Sequence, residues 1–400
     1  MAERATLGPV TCAGCGLLCD DVSVDLSGEA VRLHPPCPLG AQWFAERVRR
    51  PADAPLATVD GEPAELEAAL ARAAELLRRA RRPLLYGFEG STVEDARAAV
   101  ALADRIGALV MTGSPAGPWP GAPALPLRGA STATLGEIRD RSRVVVIWRE
   151  DPETSHPRLL ERLGFGAGSG AHRTLVVVDA RETPTTARAT LRLRWPGTRD
   201  LEALVTLHAV QRDRPPASSD IHEQLVTLME HVRDAPHVAF LYGPGLTDGE
   251  GGQRRALALH ELSRALSHER HVVTLALAPA AGTIGAQEVL TWQTGYAGNV
   301  DLASGHPELL VATQPIDGVD VALRIEGAAA ALPHGVRAIA LGDRPDADCE
   351  IWIRTAAPGV HAAGTAHRLD GVPLALQAPL ADDAPTAAAL LEQLLSEVVR

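Results

Sequence analysis

Short, wholly apolar runs alternate along most of this chain with longer stretches whose apolar residues recur every three or four positions. The first grammar is that of strands buried on both faces, the second that of amphipathic helices. Pro83–Gly87, Val144–Trp148, Leu175–Val178 and Leu191–Trp195 read as strands, as do Val238–Gly243, Val319–Ile325, Ala338–Leu341 and Glu350–Arg354. Ala64–Arg82, Val93–Ile106 and Arg254–Leu266 read as helices. Near the N-terminus the pattern changes to strict alternation. Asp21–Asp25 and Ala30–His34 flank a Ser-Gly turn and predict a hairpin.

The order of elements repeats. Pro83–Gly87 with its following Gly-containing loop and helix matches Val238–Gly243 with its own, and Tyr86 and Tyr242 hold equivalent Tyr-Gly positions. The other strands match in turn: 144–148 with 319–325, 175–178 with 338–341, and 191–195 with 350–354. Pro-Gly turns follow the last pair at 196–197 and 358–359. Strands alternating with helices imply parallel sheets covered by helices. The fold class expected is therefore α/β, with two duplicated Rossmann-like lobes at 54–215 and 216–400. The joint falls in the polar, proline-containing stretch Arg212–Asp220.

Composition narrows the function class. A net charge of −12 and the lack of any basic run argue against nucleic acid as a partner. No apolar stretch approaches the ~18 residues of a membrane span. The first residues lack the charged-then-apolar pattern of a signal peptide, so the cytoplasm is the expected location. All 38 basic residues are arginine, which removes lysine chemistry such as Schiff-base formation.

Four of the five cysteines crowd into the first 37 residues as Cys12-x2-Cys15-x3-Cys19, then Cys37-Pro38. A short loop offering three thiolates, with a fourth returned by a hairpin, can wrap one soft-metal centre. Zinc knuckles usually pair two C-x2-C units, so the asymmetric spacing points to a [4Fe-4S] cluster ahead of structural zinc or disulfides. Residues 1–53 are expected to form a small N-terminal β-rich iron–sulfur cap. Cys349 stands apart and is expected to be a buried core thiol.

In a doubly wound sheet, ligands bind beyond the carboxyl ends of the strands. The loop with Gly87 and Gly90, and the loop with Gly243 and Gly245, could each offer backbone amides to phosphate. Asp151 and His156 bound a polar stretch after a strand, and Thr365, His367, Arg368 and Asp370 lie among glycines late in the chain. These are candidate cofactor contacts, against the plainer readings of tight turns, a satisfied loop histidine and a surface hairpin.

The cysteine block and twin lobes together resemble the molybdopterin oxidoreductases. Five strings resemble, more narrowly, the B subunit of formylmethanofuran dehydrogenase: Thr11–Asp21, Thr134–Ile138, Asp151–Arg158, Leu290–Gly295 and Gly364–Pro373. The resemblance implies that Cys12, Cys15, Cys19 and Cys37 ligate the cluster. It also implies that the Asp151–His156 and Gly364–Asp370 loops line a cleft for molybdopterin guanine dinucleotide with molybdenum or tungsten. One position departs from the family. Where it supplies a Cys or selenocysteine to the metal, followed by histidine, residues 111–121 hold no Cys, His, Asp or Glu. Ser114 alone could offer an oxygen. The sequence is thus most similar to the B subunit of the bacterial formyltransferase/hydrolase complex. That resemblance implies A-, C- and D-type subunits as partners, a formylated carrier handled by the complex, and a chain without its own redox turnover. An active metal–pterin dehydrogenase subunit and an iron–sulfur electron relay are the alternatives.

Overall fold

The computed structural model describes residues 6–26, 30–48, 54–113, 128–166, 173–214, 220–310 and 316–400. Strands β1 (Thr6–Val10), β2 (Val22–Asp25) and β3 (Arg32–His34) form an antiparallel sheet, and the expected hairpin pairs Ser23 with His34. The helix Pro38–Val48 follows. Then come β4 (Ala57–Val59), β5 (Glu62–Pro63) and the helix Leu66–Arg79. Ala69, Leu70, Ala73, Ala74, Leu76 and Leu77 make that helix's buried stripe, at the three-and-four spacing of one helical face. β6 (Pro83–Gly87), the helix Val93–Ile106 and β7 (Leu109–Thr112) complete this stretch.

The backbone divides into two compact units, one of residues 1–118 with 280–400 and one of 119–279. The second contains β8 (Val144–Trp148), β9 (Thr174–Val178), β10 (Leu191–Leu193), β11 (His237–Tyr242) and β12 (His271–Ala276). They form an all-parallel sheet in the order β10-β9-β8-β11-β12. Every residue of β8 and β11 is buried, which is why their sequences are, His237 apart, continuously apolar.

The chain then returns to the first unit. It adds β13 (Val300–Asp301), β14 (Glu308–Leu309), β15 (Val321–Ile325), β16 (Arg337–Gly342) and β17 (Ile351–Arg354). The described strands there run β14-β13-β7-β6-β15-β16-β17-β4-β5, parallel from β7 to β17 and antiparallel at both edges. A separate hairpin, β18 (Gly364–His367) with β19 (Pro373–Leu376), and the helix Ala387–Val399 end the chain.

This is a mixed α/β fold, and it corrects the expectation of consecutive lobes at 54–215 and 216–400. β6 pairs with β15, about 235 residues away in sequence, and β8 pairs with β11. The matched strands nevertheless stand in one order, β6-β15-β16-β17 in one sheet and β11-β8-β9-β10 in the other. Each sheet takes its Tyr-Gly strand from one half of the sequence and the other three from the other half. The N-terminal sheet and its cysteines fall within the first unit. Residues 215–219, the middle of the expected joint, lie outside the described residues. Cys349 is half-buried in the turn before β17, with its Sγ 3.3 Å from the Asp346 carbonyl, and so is not a core thiol.

Candidate functional site

The loop from β1 to β2 carries Cys12, Cys15 and Cys19, and Cys37 immediately precedes the helix Pro38–Val48. Two backbone bonds close the loop, Cys12 N–H to the Cys19 carbonyl at 2.8 Å and Leu18 N–H to the Cys15 carbonyl at 3.2 Å. Leu18 adopts a left-handed φ of 42° and is wholly buried against Ala281, Ala366 and Leu376. Gly40 donates its amide toward Cys37 Sγ at 3.5 Å. A Cβ there would come within 2.5 Å of Leu33 and 3.1 Å of Cys12 Sγ, so only glycine lets the helix start this close to the thiols.

None of the five cysteines is in a disulfide, which sets aside that alternative for the block. Burial pushes the Cys12 thiol far above its usual range and Cys15 up to about 12, and the neighbouring cysteines add repulsion to both. Four thiolates here therefore require a compensating metal charge. Four thiols gathered by one loop and the start of one helix suit a soft-metal centre, zinc or iron–sulfur.

The β18–β19 hairpin is laced to this loop. Leu369 N–H donates to the Gly16 carbonyl at 2.9 Å, Thr11 N–H to Gln377 Oε1 at 2.8 Å, and Thr11 Oγ1 to the Ala375 carbonyl at 2.9 Å. Each polar residue singled out in the hairpin meets a carboxylate. Thr365 donates from its amide and its hydroxyl to the two oxygens of Glu94, both at 2.9 Å. His367 Nδ1 meets Glu288, and its ring lies edge-on to Trp292 at 5.8 Å. Arg368 forks onto Asp370 at 2.7 and 2.9 Å. Burial works against the Arg368 charge, but Asp370, Asp20 and Cys19 together hold its pKa above the ordinary value. A fixed cation thus stands beside the cysteine loop.

The four glycines lie where the chain packs closely, and three of their amides are already bonded. Gly87 N–H donates to the Gly113 carbonyl, Gly90 N–H to the Glu326 carbonyl, and Gly243 N–H to the Trp148 carbonyl. A Cβ on Gly87 would lie 2.8 Å from the Ile325 carbonyl, one on Gly243 would lie 1.8 Å from Glu150, and one on Gly245 would lie 2.5 Å from the Arg149 carbonyl. Close approach of backbone at Gly87 and Gly245, and of the Glu150 side chain at Gly243, leaves no room for a Cβ. The neighbouring carboxyl groups of Glu89 and Glu326 are both driven up in pKa, chiefly by burial. Ser114 lies outside the described residues.

In the second unit, the loop after β8 builds a half-buried polar chain ending on the buried His156. Glu150, Ser155 and His156 connect in series, Ser155 Oγ lying 2.7 Å from Glu150 Oε1 and 2.9 Å from His156 Nδ1. His156 Nε2 faces the Ala278 carbonyl at 2.8 Å and so carries a proton. Burial lowers the His156 pKa and raises that of Glu150, the Ser155 hydroxyl offsetting part of the latter. Asp151 is occupied elsewhere, accepting from Thr154 Oγ1 at 2.6 Å and from the Thr185 amide at 3.0 Å. Next to them Arg149, at a left-handed φ of 54°, forks onto the fully buried Asp200. Sequence pattern points to Asp151 and His156 but misses Arg149, Glu150, Ser155, Glu94 and Glu288. Arginine or glutamate after a strand carries no signal by itself.

Elsewhere in the first unit, a pocket of about 520 Å³ is lined by Tyr86, Arg324, His334, Asp346 and Cys349 among others. No helix among the described residues is long and apolar enough to cross a membrane.

No family model matches the chain. In sequence it is 27% identical to the B subunit of the tungsten-containing formylmethanofuran dehydrogenase 2 of Methanocaldococcus jannaschii, over 92% of each chain. It is 26% identical to the protein of the same name from Methanococcus maripaludis, again over 92% of each. Among solved structures, it matches the formyltransferase/hydrolase complex of Methylorubrum extorquens, solved with methylofuran. There the TM-score is 0.67 at 23% identity, covering 86% of this chain and 98% of that one. It also matches acetylene hydratase from Pelobacter acetylenicus with a TM-score of 0.63 at 11% identity, covering 98% of this chain and 69% of that one. The structural matches establish the fold. The resemblance to the B subunit of formylmethanofuran dehydrogenase extends over nearly the whole chain.

Proposed function

We propose that this chain, similar over nearly its full length to the formylmethanofuran dehydrogenase B subunit, is the B-type component of a formyltransferase/hydrolase complex without redox turnover of its own. Its partners are A-, C- and D-type subunits. The complex takes formyl groups from a tetrahydromethanopterin-linked carrier through a methanofuran-like one and releases formate during formaldehyde oxidation. The observation that carries this reading is residues 111–121, which offer no Cys, His, Asp or Glu where the related enzymes bind their metal. A soft thiolate tunes the metal and the adjoining histidine moves the proton. A run of Pro, Ala and Gly does neither.

In this reading Cys12, Cys15, Cys19 and Cys37 hold a [4Fe-4S] cluster, which would supply a redox-capable and structurally rigid centre. The chain's own residues fix its surroundings: Leu18 and Gly16 anchor the loop on the β18–β19 hairpin, and Arg368 places positive charge beside Cys19.

The two sequence relatives, both from tungsten-containing enzymes, favour a second reading, an active dehydrogenase subunit with a metal–pterin. Metal analysis of the complex purified under anaerobic conditions separates the two. The first reading expects about four irons per chain, no stoichiometric molybdenum or tungsten, and no formate–viologen electron exchange. Stoichiometric tungsten or molybdenum with that exchange, abolished by Ser114→Ala, establishes the second reading instead. Iron with viologen reduction but no heavy metal would make the chain an electron relay.

A further inference from the structure

β11 and β12 begin with histidines that are register partners in a parallel pair, His237 and His271. Partners in adjacent strands leave the same face of the sheet. Their ring centroids lie 4.9 Å apart, tilted by 48°. Glu137 reaches the same spot from the first turn of the helix Leu135–Arg141, whose start is fixed by the Thr134 hydroxyl accepting from the Glu137 amide at 3.2 Å. Glu137 Oε1 is 3.8 Å from His237 Nε2. One ligand atom from each of the three residues lies within 4.8 Å of the other two.

The environment of His237 gives this cluster a direction. The residue is only 4% exposed, yet its Nε2 has no hydrogen-bond partner. Its Nδ1 is 2.9 Å from the hydroxyl of Ser142, itself buried and held by its own amide to the Ile138 carbonyl at 3.1 Å. With Nδ1–H donating to Ser142, the Nε2 lone pair points at Glu137 and His271. Metal-bound histidines are oriented in this way through their second nitrogen.

We propose that Glu137, His237 and His271 form a site for a divalent transition metal of the zinc class, with water completing the coordination. Two imidazoles and one carboxylate suit zinc-like ions over calcium or magnesium. The site sits at the amino ends of β11 and β12, away from the carboxyl-end loops that carry Glu150 and Gly243, and it does not depend on the function proposed above.

Titration of the metal-free full chain with Co2+ tests it. The expected result is one equivalent with sulfur-free ligand-field bands beyond whatever the cysteine block takes up, and it is retained in a Cys12→Ser/Cys15→Ser variant. His271→Ala, at an exposed position, should lose that equivalent while keeping the fold. Ser142→Ala should weaken affinity by about 10- to 100-fold. In the Cys12→Ser/Cys15→Ser background, Zn2+ should raise the thermal midpoint, and adding His271→Ala should abolish that rise. The proposal is overturned if His271→Ala binds as many equivalents as the wild type, or if only sulfur-bearing bands arise.

Discussion

Glu326 is where a single residue bears the most unfavourable chemistry in the first unit. It follows β15 at a left-handed φ of 44°, and its Oε1 is buried without a hydrogen-bond partner. Burial raises its pKa well above the usual carboxyl value, repulsion from Asp343 and Asp95 adds to that, and Thr355 and Arg47 offset only part. The unfolded chain releases this proton at ordinary carboxyl pH, whereas the folded chain keeps it to higher pH. Stability from this group is therefore complete below the unfolded pKa and declines as pH rises toward the folded value. Glu326→Gln, which cannot ionise, should raise the thermal midpoint at pH 8 and leave it nearly unchanged at pH 4. An equal effect at both pH values would show that folding does not raise the Glu326 pKa. Such residues are illegible in a sequence, because a glutamate after an apolar strand reads as an ordinary solvated loop. The cysteines are legible because four thiols at close spacing have few uses besides holding a metal or cross-linking the chain.

Among the elements, the helix Val93–Ile106 shows how one side chain can serve two helix starts. Thr92 Oγ1 accepts from the Asp95 amide at 3.1 Å, and Asp95 Oδ2 accepts from the Thr92 amide at 2.8 Å, a reciprocal capping box. The other oxygen, Oδ1, accepts from the Ala388 amide at 2.7 Å and so caps the helix Ala387–Val399 as well. Removing Asp95 strips one buried and one half-buried amide of their acceptor at once. Asp95→Ala should cost about 2–4 kcal/mol, against about 1 kcal/mol for Thr92→Ala. The difference should show as earlier hydrogen exchange across both helices in the Asp95 variant, but across one in the Thr92 variant. The strands and the helix Val93–Ile106 are readable within a few residues because apolar periodicity is local. The second duty of Asp95 is not readable, since its partner stands 293 positions later.

At the scale of the whole molecule, periodicity yields the order of strands but not their neighbours, because parallel strands need crossovers and a crossover can be of any length. That is why the matched halves are visible in the sequence while the two sheets are not. Residues 119–279 carry all five strands of their sheet and a contiguous core running from Val144 to Val272. Residues 1–215 would carry β6 and β7 without β15, β16 and β17, and β8 to β10 without β11 and β12. Each partial sheet would leave an apolar edge strand unpaired, the condition that favours aggregation. A fragment of residues 119–279 should therefore express in soluble form, with helix-and-strand circular dichroism and a cooperative thermal transition. Fragments 1–215 and 216–400, made separately, should be insoluble or lack a cooperative transition. If those two instead each melt cooperatively and 119–279 does not, the halves fold in sequence order, and the interleaved pairing of β6 with β15 and β8 with β11 is wrong.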